Sequence, residues 1–202
     1  MYSPAYNRNE DRADVLAFMR AHGFVLVVTG TGGELHASHL PCVVEERDGQ
    51  LRLSMHMART NPQWQQFFGD EAMVVFAGPH AYVSPRWYED RPRVPTWNYV
   101  AVHAYGPAEF FEDAGRLLDV VTRLTDLHER PRAEPWAVTD APETFIRAQL
   151  KGIVGLRLPI TRIEGKRKMS QNRSAADRAG VAAGLAASDR ASDRAVAALI
   201  PG

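Results

Sequence analysis

The chain is 202 residues long and 45% hydrophobic, with 24 Lys plus Arg against 24 Asp plus Glu. That size suits one domain, or one domain with an appendage, on a core that needs no covalent staples. A formal net charge of +0 excludes gripping nucleic acid by the overall field, although a local basic patch survives, and the one cysteine, Cys42, excludes a disulfide framework or a cysteine-rich zinc site.

The opening residues, MYSPAYNRNEDRADVLAF, are polar and charged where a signal peptide is apolar, and the longest aliphatic run, Phe24 to Val28, is far too short to span a bilayer. The expectation is a cytoplasmic protein without a membrane segment. A first helix is predicted from Asp11 to His22, capped by Asn9 or Asp11 and stopped by Gly23. The run FVLVV then reads as a strand, Gly30, Gly32 and Gly33 as a turn, and His36 to Glu46 as the returning strand. Asp48-Gly49 signals a hairpin. After it, Leu51, Leu53, Met55 and Met57 alternate with Arg52, Ser54, His56 and Ala58, which gives one core face and one face open to solvent or ligand.

Asn61 and Pro62 predict the start of a short helix carrying Trp64, Phe67 and Phe68 and ending at Gly69. Ala72 to Ala77 reads as a buried strand, turned at Gly78-Pro79 into a second strand, His80 to Ser84. Residues 85 to 95 read as a loop. Trp97, Tyr99, Ala101, His103 and Tyr105 share one face of the next strand. A helix from Asp113 carries a stripe of Leu117, Leu118, Val121, Leu124 and Leu127. Another runs from Pro142 to Gly152, and Ile153 to Ile163 is a strand interrupted by Pro159. Beyond Asn172 alanine dominates, which predicts one terminal helix capped by Ser174, frayed or swapped onto a partner. The fold class is mainly β with inserted helices (α+β), a small antiparallel barrel over 1–173 with a helical segment over 174–202.

Three segments carry candidate chemistry. Arg59 to Pro62 joins a forked guanidinium to a helix start, which suits phosphate, but an ordinary capped helix with a surface arginine is the plainer reading. Residues 165–173, GKRKMSQNR, fit an anion or cofactor contact, a touch on DNA backbone phosphates, or a solvated connector. In Val94 to Tyr99, two aromatic rings flank polar groups and suit either a planar ligand or plain core filling; Asn98, if buried, needs a partner. His36 and His39 fall on opposite strand faces, so a shared metal is not expected. Cys42 has no activating neighbour and reads as packing.

Several of these segments together carry a resemblance. HASHLP (36–41), HMARTNPQW (56–64), VFAGPHAYVSPRWY (75–88), VPTWNYVAVHAYG (94–106), IVGLRLPITRIEGKRKMSQNR (153–173) and DRAGVAAGL (177–185) resemble the PaiB-type family of FMN-binding negative transcriptional regulators. The resemblance implies an FMN-binding split β-barrel, usually a homodimer with cofactor sites between subunits. It implies that Arg59 and Asn61 hold the FMN phosphate with help from Lys168 and Ser170. Ser38, His39 and His56 would line the ribityl chain and ring, and Thr96, Trp97, Asn98 and Gln171 would approach the isoalloxazine. Met55 stands where the family often has glycine and is expected to add bulk beside His56. A DNA operator would be touched through 165–173, Arg178, Arg190 and Arg194. The alternative function is an FMN-dependent oxidoreductase of the pyridoxamine-oxidase-like split-barrel type.

Overall fold

The computed structural model describes residues 1–47, 49–67 and 71–202. In chain order the elements are β1 (Arg8–Asn9), α1 (Arg12–Ala21), β2 (Phe24–Thr31), β3 (Glu34–Arg47), β4 (Gln50–Ala58), α2 (Gln63–Gln66), β5 (Ala72–Val83), β6 (Thr96–Gly106), β7 (Glu109–Phe111), α3 (Ala114–Glu129), α4 (Glu143–Leu150), β8 (Ile153–Pro159), β9 (Arg162–Lys168), α5 (Ala175–Ala186) and α6 (Ala191–Ala197). Strands dominate, all the described pairings are antiparallel, and helices are inserted between them. The chain divides into two compact units.

One unit comprises Met19–Phe76 and His103–Ile163. Its strands run in the order β5-β2-β3-β4-β8-β7. β3 pairs with β2 as far as Pro41 and with β4 from Cys42 onward, so a single long strand changes partner part-way. The period-two alternation of β4 buries Leu51, Leu53, Met55 and Met57 as predicted. Ser54 on the other face is buried too, because Glu45 takes its hydroxyl. Met55 is fully buried on the face opposite His56, so its bulk enters the core and does not crowd that imidazole. Asp113 caps α3 by accepting the Arg116 N–H. The buried stripe of α3 is Leu117, Val120 and Leu124, packed with Phe111 and Leu150, while Leu118 and Leu127 face outward, so the predicted stripe was rotated. The expected strand over 153–163 is two strands. Ile160 and Thr161 leave the β8 line to donate to the carbonyls of Leu51 and Tyr105, which bends the chain after Pro159.

The other unit comprises Met1–Phe18, Ala77–Val102 and Glu164–Gly202. Its strand order is β1-β9-β6-β5, with Arg8 opposite Lys166. Asp11 caps α1 by accepting from the Ala13 and Asp14 N–H groups, while Asn9 donates to the Asp14 carboxylate. Gly78-Pro79 does not turn the chain, since β5 runs straight through it. Gly78 is there for close approach: a Cβ would lie 2.6 Å from the Phe18 ring. Residues 165–168 belong to β9, so the first half of the basic segment is strand and not connector. The alanine-rich end forms two helices, α5 and α6, whose Val181, Leu185 and Val196 are fully buried with Val83, Tyr88 and Met169. Ser174 caps α5 by accepting the Asp177 N–H.

Gly32 and Gly33 have φ of 61° and 91°, which is why the β2–β3 turn takes glycine, whereas Gly30 lies within β2. Asp48 of the expected hairpin, and Phe68 and Gly69 at the expected end of the short helix, lie outside the described residues. No helix among the described residues is long and apolar enough to cross a membrane.

Candidate functional site

The residues singled out from the sequence fall into two groups, one in each unit. In the unit built on β2, β3 and β4, Asn61 Nδ2 donates to Ser38 Oγ at 2.8 Å, and Asn61 Oδ1 accepts the Gln63 N–H at 2.9 Å. Gln63, which the motif reading missed, is buried and donates through Nε2 to Thr29 Oγ1 at 3.1 Å and to the carbonyls of Val27 and His36. The turn at 59–63 is thus pinned to the β2–β3 hairpin by side-chain amides. A glutamine next to a proline carries no local sign of such a long-range role.

Arg59 faces elsewhere. Its Nε donates to the Lys151 carbonyl at 2.7 Å, Nη2 donates to the Ile153 carbonyl at 3.3 Å, and Nη1 pairs with Glu112. Every nitrogen of this guanidinium has a protein partner at the junction of α4 and β8. Arg59 and Glu112 also border a cavity of about 780 Å³, walled by Leu117, Leu118, Ile146 and Leu150. His39 is exposed and stacks on Phe24, with centroids 5.9 Å apart. Cys42 is buried, and that burial, then the charge of Glu45, pushes its thiol up, so it is packing and not a nucleophile.

His56 lies opposite Gly155 of β8, and its Nδ1 is buried with no hydrogen-bond partner among the described residues. Burial lowers its pKa from the ordinary 6.5. The folded chain therefore refuses a proton that the unfolded chain accepts. Stability contributed by neutral His56 is present above pH 6.5 and lost as pH falls through the lower folded-state value. Urea midpoints measured from pH 7.5 down to about pH 5 should decline, and His56→Gln should flatten that decline. Superimposable pH profiles for the two proteins would show that His56 is not its source.

In the other unit, β6 presents two chemically different faces. Asn98 is fully buried and donates through Nδ2 to Ser170 Oγ at 3.0 Å, which supplies the partner that its burial demands. Lys168 Nζ donates to Thr96 Oγ1, at the start of the same strand, at 2.5 Å. Ser170 takes φ of 60°, a left-handed conformation for a non-glycine residue. Gln171 folds back on its own turn, accepting the Met169 N–H and donating to the Arg167 carbonyl. The Lys168 pKa is lowered, first by burial and then by the charges of Lys166 and Arg173. Trp97 stands on the opposite face, 47% exposed, with His80 at 6.0 Å and Tyr82 edge-on at 6.2 Å. A shallow groove of about 370 Å³ runs along this face, bordered by Ala77, Gly78, His80, Trp97 and Tyr99. The structure thus brings together Ser38 with Asn61, Thr96 with Lys168, and Asn98 with Ser170. It separates Trp97 from Asn98 across the sheet.

Residues 1–162 match the sequence profile of the family described as "Putative FMN-binding domain". The chain belongs to this family. Within reach of the same FMN-binding family, Protease synthase and sporulation protein PAI 2 of Bacillus subtilis (strain 168) is 36% identical over 182 residues, covering 90% of this chain and 87% of that protein. The PaiB-type membership suggested by the motifs is therefore shown, and FMN is the cofactor that the FMN-binding family assigns. Among solved structures, the FAD and heme binding protein of Mycobacterium smegmatis superposes with a TM-score of 0.62 at 17% identity, over 86% of this chain and 78% of that one. The flavocytochrome Anf3 of Azotobacter vinelandii gives 0.59 at 15% identity, over 82% and 72%. Likeness at this identity speaks for the fold alone, the flavin-binding split β-barrel.

Proposed function

We propose that this chain is an FMN-binding negative transcriptional regulator that acts as a cytoplasmic homodimer on a DNA operator. The observation that carries the reading is its likeness to Bacillus PAI 2 over nine-tenths of its length. The donor set fits a phosphate-tailed planar ring. Lys168 is a cation disfavoured by burial and by its cationic neighbours, so an anion there relieves it. The groove beside Trp97 offers an aromatic wall for a ring. Bound FMN supplies one- and two-electron redox chemistry, and the protein supplies orientation and electrostatics. Thr96, Asn98 and Ser170 would fix polar edges of the cofactor, and Ser38, Asn61 and His56 are the candidate contact set that the other unit offers by itself.

Trp97 and Asn98 stand on opposite faces of β6, so one copy of the strand offers a given ring only one of them. A homodimer removes the conflict if Trp97 of one subunit covers the cofactor held by the other. On the DNA side, Arg178 is committed to the carbonyls of Arg173, Pro201 and Gly202. Arg190, exposed at the N-cap of α6 and 3.9 Å from Asp193, and Arg194, exposed in its last turn with one nitrogen on the Ser188 carbonyl, are less committed and are the better phosphate contacts. Fluorescence anisotropy with the DNA upstream of its own gene should show dimer binding whose log affinity falls with log salt, by roughly 0.9 per phosphate contact. Absence of a specific complex at low salt rejects the regulator.

The second reading, an FMN-dependent oxidoreductase, is favoured by one observation. His56 is held neutral with Nδ1 unpartnered, as a proton-accepting group would be. Steady turnover of a reduced nicotinamide by the FMN-loaded protein, lost in His56→Gln, would support it over the regulator.

A further inference from the structure

We propose that Lys166, Lys168 and Arg173 form the seat of the flavin's terminal phosphate, with Lys166 a binding residue that the motif reading did not single out. The proposal rests on FMN being the ligand. Its starting point is an uncompensated charge. Side chains at 164, 166 and 168 share one face of β9, while Arg167 points to the other and reaches Asp14 at 3.7 Å. Lys166 is only 7% exposed. Its Nζ donates to the Tyr2 carbonyl at 2.9 Å and lies 5.7 Å and 5.1 Å from the ring centres of Tyr2 and Tyr99. Arg173 lies over the Tyr88 ring, 5.3 Å from its centre.

Among the described residues, no carboxylate lies within ion-pair distance of Lys166, Lys168 or Arg173. The two buried or half-buried acids nearest in sequence are committed elsewhere. Glu164 holds the Met1 ammonium, and Asp177 accepts the Glu89 and Asp90 N–H groups. A buried cation without a counter-ion is costly, and like charges nearby add to the cost. The lowered pKa of Lys168, caused by burial with Lys166 and Arg173 beside it, is the mark of that conflict. Carbonyl and ring contacts ease it only in part.

A phosphate dianion offsets most of it. It offsets two of the three positive charges, where a monocarboxylate offsets one, and it has enough acceptor oxygens for two ammonium groups and a guanidinium fork. Arg59, the residue assigned to the phosphate by resemblance, is already bound to Glu112 and to two carbonyls. A phosphate would have to compete with all three.

The test compares FMN with riboflavin, which lacks the phosphate, by flavin fluorescence quenching on the full chain. Wild type should prefer FMN. Lys168→Met and Lys166→Met should each weaken FMN at least tenfold and leave riboflavin unchanged, and Lys166→Arg should restore most of the loss. Lys168 is the less buried of the two lysines, so its variant keeps the test alive if Lys166→Met does not fold. A preference for FMN that survives Lys168→Met and disappears in Arg59→Ala overturns the proposal. So does an equal loss of both flavins. If wild type binds neither flavin, the FMN reading fails by itself. Thermal melting in inorganic phosphate then decides the seat: a rise in wild type that is absent in Lys168→Met upholds it, and no rise overturns it.

Discussion

Replacing Glu45 with alanine should lower the free energy of unfolding by about 3 kcal/mol. Its carboxylate is buried between β3, β4 and α3. Arg52 Nε donates to it at 3.1 Å and Ser54 Oγ at 3.0 Å, and Arg123 Nη1 stands 2.8 Å away at ion-pair distance. Glu45 and Arg52 are direct cross-strand partners in the register. Removing the acid leaves the Arg52 guanidinium, itself mostly buried, without its counter-charge, and the fully buried Ser54 hydroxyl without an acceptor. The penalty comes from stranding these groups and not from a large net value of the intact pair. Deleting Arg52 as well should therefore cost much less than the sum of the two single losses. Glu45→Gln, which keeps an acceptor but no charge, should fall between wild type and alanine. Urea unfolding followed by tryptophan fluorescence measures wild type, both single deletions, the double deletion and Glu45→Gln. A loss below about 1 kcal/mol for Glu45→Ala would place this cluster among ordinary surface ion pairs. Cys42 should stay unreactive in the variant, because burial is the larger force on its thiol and Glu45 the smaller.

The network around Glu45 was invisible in the sequence, and the reason is general to this chain. Signals that act within one turn of backbone were legible. Asp11, Asp113 and Ser174 cap helices as their positions predict. The alternation of Leu51 to Met57 marked a core face because period two is a local property. What failed depended on a distant partner. Gly78-Pro79 reads as a turn until the Phe18 ring is seen pressed against the glycine. On α3, Val120 and Val121 are one position apart, and only the packing with Phe111 and Leu150 makes Val120 the fully buried one and leaves Val121 partly buried. The segment 165–168 looked like a basic connector because charged residues seldom run through a strand. β1 pairing at Lys166 and Gly165 makes it one. At the site, residue types were legible and their directions were not. The resemblance assigned Arg59 to the phosphate, whereas its guanidinium pairs with Glu112, and the partners of Lys166 and Gln63, Tyr2 and Thr29, lie far along the chain.

Gly180→Ala should destabilise the chain by about 2 kcal/mol, against the usual direction for a helix interior. Alanine in place of glycine on an open helix face gains close to 1 kcal/mol from propensity. Gly180 and Gly184 lie one turn apart on α5, on the face that meets Trp87. A Cβ on Gly180 would overlap the Trp87 carbonyl oxygen, and one on Gly184 would overlap its indole ring. A carbonyl moves only with its backbone, whereas an indole can turn. Gly180→Ala should therefore cost more than Gly184→Ala. The backbone here has little room to give. The Pro85–Trp87 turn is capped by Ser84, and the Glu89 and Asp90 N–H groups are tied to Asp177, buried on the same helix. Pushing α5 away from Trp87 strains those bonds and the loop that leads into Thr96 and Asn98. Gly180→Ala should then weaken FMN and riboflavin alike, since it disturbs the residues around the ligand and not the phosphate charge. Chemical denaturation and flavin titration of the same samples test both halves. A Gly180→Ala protein as stable as wild type would mean that α5 does not approach Trp87 this closely.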